Sequence, residues 1–270
     1  MHGYAQLSDE LRIHYAALGR GRPLIFIPGW TMTLEAFGRN LAPLSERFRA
    51  IAYDPRSQGR SSRLECGNHY TQHGQDLADF IRELGLEEVV LLGWSTGALA
   101  AYAYFEQFGC ANVSAFVGID MSPRPVKDSE SDWGIDLREN VRRMQAGVTA
   151  PDHSAMVRMM ASHGFLIEPA AEEFVAEIVS RSLATAPHIA ALLLADGNLC
   201  DYSQVARDVA AQVPVLQIVS ERASASAANW IEANTPTAEL HALGAHMMFW
   251  EYPEEFNGVV SGFLNTHLPA

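Results

Sequence analysis

Cysteine is scarce. Cys66, Cys110 and Cys200 are odd in number and far apart in 270 residues, which excludes a disulfide framework and a C-x-x-C metal pair. A reducing cytoplasm is therefore the expected location. Positive charge is also short. The net charge is −13, and the lysine and arginine positions form no basic cluster. Neither a nucleic-acid backbone nor an anionic membrane is expected as a partner. No apolar run reaches membrane-spanning length. The opening residues Met1 to Gln6 lack a charged stretch followed by an apolar one, so no secretory signal is expected. Internal repeats and low-complexity tracts are missing too, which leaves one large domain, or one domain with an insertion.

What is present is a globular composition, 48% hydrophobic and 19% charged, in a strand–helix alternation. Leu11 to Tyr15 alternates like a half-exposed strand. Leu24 to Ile27 is continuously apolar and reads as a strand buried on both faces. Leu34 to Arg47 has helical spacing, Phe48 to Tyr53 reads as a strand, and Thr71 to Leu84 as an amphipathic helix. Val89 to Leu92 and Val113 to Ile119 continue the strand series. This order predicts a mostly parallel central sheet flanked by helices.

After Asp120 the alternation stops. Residues 122–211 show no buried strand and several helical stretches: Leu137 to Met144, Ser154 to Phe165, Ala171 to Leu183 and Ile189 to Ala195. They predict a helical cap inserted over the carboxyl edge of the sheet, where sites of open α/β sheets lie. Residues 1–121 and 212–270 form the expected core domain. The cap carries Trp133, Met144, Met156, Met159, Met160 and Phe165, which either line an apolar pocket or pack the cap onto the core. Val213 to Val219 restarts the sheet, a helix from Ala227 to Ala233 and a short strand at Ala238 to Leu240 follow, and Pro253 to His267 reads as the closing helix.

The chain is organised around Gly93-Trp94-Ser95-Thr96-Gly97. A buried strand enters this G-x-S-x-G pattern and a helical stretch from Ala98 to Gln107 leaves it, the context of a nucleophile elbow. The plainer reading is a Gly/Ser-rich turn. A Ser nucleophile needs a base, and the base an orienting acid. His246, in the loop after the last strand, is the natural base. The acid has two candidates. Glu221 follows the strand at Val213 to Val219, but two residues before the expected place, which Ala223 occupies. Asp120 ends the strand after the elbow, where it either orients His246 or caps the next turn. Backbone amides of the Pro28-Gly29-Trp30 turn and of Thr96 suit an oxyanion hole, with the Trp30 indole as a flat wall. His69 and His73 have metal-compatible spacing but no E-x-x-H partner, so no metal and no cofactor is expected. Asp54 to Ser62 reads as a structural turn.

Pro28-Gly29-Trp30, Asp54-x-Arg56-x-x-Gly59-x-Ser61, Gly93-x-Ser95-x-Gly97 and Gly244-x-His246 together resemble the α/β-hydrolase superfamily. Ser57 stands for a usual glycine, Ala98 for a frequent third glycine, and the usual acid is missing. Within that superfamily the chain resembles the cofactor-independent dioxygenases of 3-hydroxy-4-oxoquinolines. Those also place Trp after Gly in the first loop, Ser at the elbow, Asp after the following strand and a late His. The resemblance implies a 2-alkyl-3-hydroxy-4-quinolone and molecular oxygen as substrates, cleaved to an N-acylanthranilate and carbon monoxide. It assigns His246 and Asp120 as the base pair, Ser95 to substrate binding, and Gly29, Trp30 and Thr96 to the oxyanion. A monomer or small homo-oligomer is expected. The alternatives are a serine ester, amide or lactone hydrolase using Ser95, His246 and either Asp120 or Glu221, and a catalytically silent binding protein of the same fold.

Overall fold

The computed structural model describes residues 2–149 and 152–268. Strands β1 (His2–Gln6), β2 (Arg12–Leu18) and β3 (Pro23–Ile27) come first. A 3-10 turn (Leu34–Phe37) and the short helix α1 (Leu41–Leu44) lead to β4 (Arg49–Tyr53). Then come α2 (Tyr70–Glu83), β5 (Val89–Trp94), α3 (Thr96–Phe108) and β6 (Val113–Ile119). Short strands β7 (Val126–Lys127) and β8 (Asp136–Leu137) precede helices α4 (Arg138–Thr149), α5 (Ser154–His163), α6 (Glu172–Ser182) and α7 (Pro187–Leu199). The chain closes with α8 (Ser203–Ala210), β9 (Val215–Val219), α9 (Ser224–Asn234), β10 (Glu239–Ala242), α10 (Met248–Glu251) and α11 (Pro253–His267).

Among the described residues the central sheet has eight strands, in the order β1-β2-β4-β3-β5-β6-β9-β10. The pairings of β1 with β2 and of β2 with β4 are antiparallel, and those from β4 through β10 are parallel. Every residue of β3 and β5 is buried, as continuous apolar runs covered by helices on both faces require. This order places β5 at the centre, between β3 and β6, so the turns after these three strands meet at one edge.

One expectation is corrected, and two features are added. The span from Leu34 to Arg47 is not one helix. The Asp54 carboxylate accepts the Leu34 N–H, holding a 3-10 turn, and the Asn40 side chain donates to the Phe249 carbonyl, so the chain is pinned between two short pieces. Strand β1 has no apolar alternation of its own and exists as the antiparallel edge partner of β2. The 122–211 segment does contain a strand pair, β7 with β8, and its last helix, α8, packs on α3 with Ala206 and Val209 buried. Helices α4 to α7 otherwise fall where helical spacing places them. Among the described residues no single helix is long and apolar enough to cross a membrane.

Candidate active site

Strand β5 delivers Ser95 to a tight turn. Its φ is +52° and ψ −130°, a strained conformation for a residue with a Cβ. The turn is fixed from both sides: Ser95 N donates to Ile119 O at 2.8 Å, and Ala98 N to Ser95 O at 2.9 Å. Close approach explains the flanking glycines. A Cβ on Gly93 would stand 2.6 Å from Ala98 Cα, and one on Gly97 would stand 2.2 Å from Ile27 O.

Strand β6, next to β5, ends in Asp120. Its backbone N donates to Ile218 O at 2.8 Å on β9. Its Oδ1 accepts the Ser220 N–H at 2.7 Å, and its Oδ2 lies 2.7 Å from His246 Nδ1. With Nδ1–H donating to the carboxylate, the Nε2 lone pair is left for the cleft. Burial pushes the Asp120 pKa up. The His246 hydrogen bond and charge and the bonds from Ser220 outweigh it and hold the carboxyl below its ordinary value. The pair is fixed from behind as well. Trp94 Nε1 donates to the His246 carbonyl at 2.9 Å, and Met247 N donates to Phe165 O at 2.8 Å. The Trp94 and Phe165 rings lie 5.4 and 5.6 Å from the imidazole.

Ser95 and His246 line one cleft of about 610 Å³, without a mutual hydrogen bond in this resting geometry. Such bonds often close only around substrate. Trp30 and Thr96 border the same space, and their backbone N–H groups donate to no protein acceptor among the described residues. Thr96 also opens α3, so its amide sits at the positive end of the helix. Gly29 keeps this turn close to the elbow: a Cβ there would lie 3.0 Å from Ser95 Cβ. Trp30 lines the cleft, and its buried indole donates to Ala190 O at 2.8 Å, tying the Pro28-Gly29-Trp30 turn to α7. Met144, Met156, Met159, Met160 and Leu194 from α4, α5 and α7 roof the cleft, with Trp133 and Ile135 at its side. A recess of about 20 Å³ opens beside Ser95 and His246, walled by Trp30, Met32, Trp94, Val157, Met160 and Phe165.

Glu221 does not join this group. It is exposed in a 3-10 turn, its backbone N donates to Gly244 O, and the His246 Nδ1 partner is Asp120. His69 accepts the Gln72 N–H at the start of α2, and His73 is buried. Among the described residues no cluster of three or more His, Cys, Asp or Glu side chains suits a metal ion. Asp54 is structural: it accepts the Leu34 and Arg60 N–H groups and pairs with buried His14 at 2.8 Å. Trp94 and Ser220 border the His246–Asp120 pair and were passed over by pattern reading, whereas Phe165 was among the candidate pocket-lining cap residues. Trp94 had a signal, since it occupies the x before Ser95. Ser220 acts through its backbone, which no side-chain pattern reveals.

Comparisons with known proteins place this geometry. Residues 22–153 match the family model described as alpha/beta hydrolase fold. A non-heme haloperoxidase from Rhodococcus erythropolis is 33% identical over 129 residues, 47% of this chain and 47% of that protein. The chain thus aligns with about half the length of the curated relatives it matches. Among solved structures, a bromoperoxidase from Bacillus anthracis superposes with TM-score 0.88 at 22% identity, covering 98% of this chain and 100% of that one. An esterase from Exiguobacterium antarcticum gives TM-score 0.88 at 20% identity, again covering 98% and 100%. By its sheet order, its serine elbow and these likenesses, the chain is a protein of the α/β-hydrolase fold.

Proposed function

We propose that the chain is a serine-dependent hydrolase of small esters or lactones. The observation that carries this reading is the 2.7 Å Asp120–His246 pair, in the same cleft as an elbow serine and two free amides. His246 Nε2 takes the Ser95 proton as Oγ attacks the substrate carbonyl. The Trp30 and Thr96 N–H groups receive the developing oxyanion, and Asp120 stabilises the imidazolium. The same proton then goes to the leaving oxygen, and a water activated by His246 releases the acid. The esterase name of one of the similar structures supports this direction. Residues 122–211 act in this reading as the cap over a core of 1–121 and 212–270. Hydrolysis of 4-nitrophenyl esters tests it: Ser95→Ala and His246→Ala are expected to be inactive, and wild-type inactivity across acyl lengths would overturn it.

A second reading is supported by two particular features. The acid sits after β6 and not after β9, as in the dioxygenases the sequence resembles, and the 20 Å³ recess beside His246 is walled mainly by apolar groups and suits a diatomic molecule. In this cofactor-independent dioxygenase, His246 removes the 3-hydroxyl proton of a 2-alkyl-3-hydroxy-4-quinolone. The anion adds oxygen at C2, the peroxide closes on C4, and collapse yields carbon monoxide and an N-acylanthranilate. Ser95 then binds substrate. Carbon monoxide release matching oxygen uptake, retained in Ser95→Ala, distinguishes it from hydrolysis.

A further inference from the structure

Lys127 is the one lysine in the chain, and it lines the cleft that holds Ser95 and His246. It lies on β7, pairs with Leu137 of β8, and its side chain is only 15% exposed. The stem is closely packed: a Cβ on Gly134 would stand 2.6 Å from Lys127 Cγ, so a glycine is needed there for the stem to pass. The ammonium carries three donors. One meets Glu130 at 3.1 Å, whose own side chain is 80% exposed, and the others have no partner among the described residues. From the turn after β9, Arg222 lines the same cleft, and no ion pair or hydrogen bond holds its guanidinium among the described residues.

The cleft's carboxylates do not neutralise these two cations. Asp120 is engaged by His246 and Ser220. Asp132 accepts the Asp128 and Ser129 N–H groups and pairs with Arg124, and Asp136 accepts from Leu137 N and Asn140. Among the described residues Glu130 alone pairs with Lys127, as an exposed partner of the kind that contributes little to stability and exchanges readily. A chain of net charge −13 repels acids at long range, so recognising one needs local cations of this sort.

We propose that the cleft selects substrates bearing a carboxylate remote from the reacting carbonyl, with Lys127 as the specificity-determining residue and Arg222 assisting. The substrate carboxylate displaces Glu130 from the ammonium. This rests on the hydrolase reading for the reaction, not for the binding.

Two 4-nitrophenyl esters of matched length, the hexanoate and the hydrogen adipate, supply the test. Wild-type enzyme is expected to prefer the adipate in kcat/KM. Lys127→Met, which keeps the stem, lowers the adipate-to-hexanoate ratio by about tenfold or more. Lys127→Arg retains the preference, and Glu130→Gln increases it by removing the competitor. Calorimetry of free adipate with Ser95→Ala protein reads binding without turnover and is expected to lose its heat when Lys127→Met is added. Hydrolysis with no adipate preference, or a ratio unmoved by Lys127→Met, overturns the proposal and leaves the hydrolase intact. No hydrolysis of either ester, together with Lys127-dependent adipate binding, overturns the hydrolase reading and supports the carboxylate site. Adipate binding that is absent, or insensitive to Lys127→Met, overturns the site.

Discussion

Ser95 sits at φ +52° to expose its hydroxyl, and that conformation is costly for any residue with a Cβ. Ser95→Gly is therefore expected to stabilise the fold by about 1 kcal/mol, raising the melting temperature by roughly 2–3 °C, while abolishing ester hydrolysis. An unchanged or lower melting temperature would show that the turn is not strained. Asp120 accepts from both His246 and Ser220. Asp120→Asn keeps the size but turns a pure acceptor into a group that also donates, favouring the wrong imidazole tautomer. Ester kcat is expected to fall by about a thousandfold or more with KM little changed. Loss through KM alone would point to substrate binding.

The elements around the site depend on backbone proximity. A Cβ at Gly97 would meet Ile27 O at 2.2 Å, between the start of α3 and the end of β3. Gly97→Ala is expected to cost about 3 kcal/mol or more and to lower the yield of folded protein. A melting temperature near wild type would show that the helix can shift away. The elbow was legible in the sequence because its glycines, strand and helix are all local. Strands β3, β5 and β6 were legible because burial on both faces writes an unbroken apolar run. Strand β1 was not, since His2–Gln6 owes its pairing to β2. Nor was the break after Phe37, since the 3-10 turn that precedes it is held at Leu34 by Asp54, 20 residues away. Asp120 and Glu221 both follow strands, and sequence left the choice open. The sheet order decides it in space, because β6 ends beside β5 and the His246 ring turns to Asp120, leaving Glu221 exposed.

At the scale of the whole molecule, folding has a pH signature. His73 is buried in α2 with Nε2 unpartnered, and burial, helped by the Arg56 and His69 charges and opposed by Asp76, lowers its pKa to about 4 from 6.5. The unfolded chain takes up a proton near 6.5 that the folded chain refuses until about 4. His73 thus contributes stability in full above pH 6.5, and that stability is lost as pH falls toward 4, by about 3 kcal/mol. Denaturant unfolding between pH 7 and 4.5 is expected to show this slope, and His73→Gln to flatten it. A variant with the wild-type slope would place the proton uptake elsewhere. The central claim is that the paired His246 and Asp120 make Ser95 a nucleophile in this cleft. The most direct measurement is the intact mass of the protein after reaction with a fluorophosphonate. The expected result is one added phosphonyl group, mapped to Ser95 and lost in Ser95→Ala and His246→Ala. An unlabelled wild-type protein that consumes oxygen and releases carbon monoxide from a 2-alkyl-3-hydroxy-4-quinolone would contradict it.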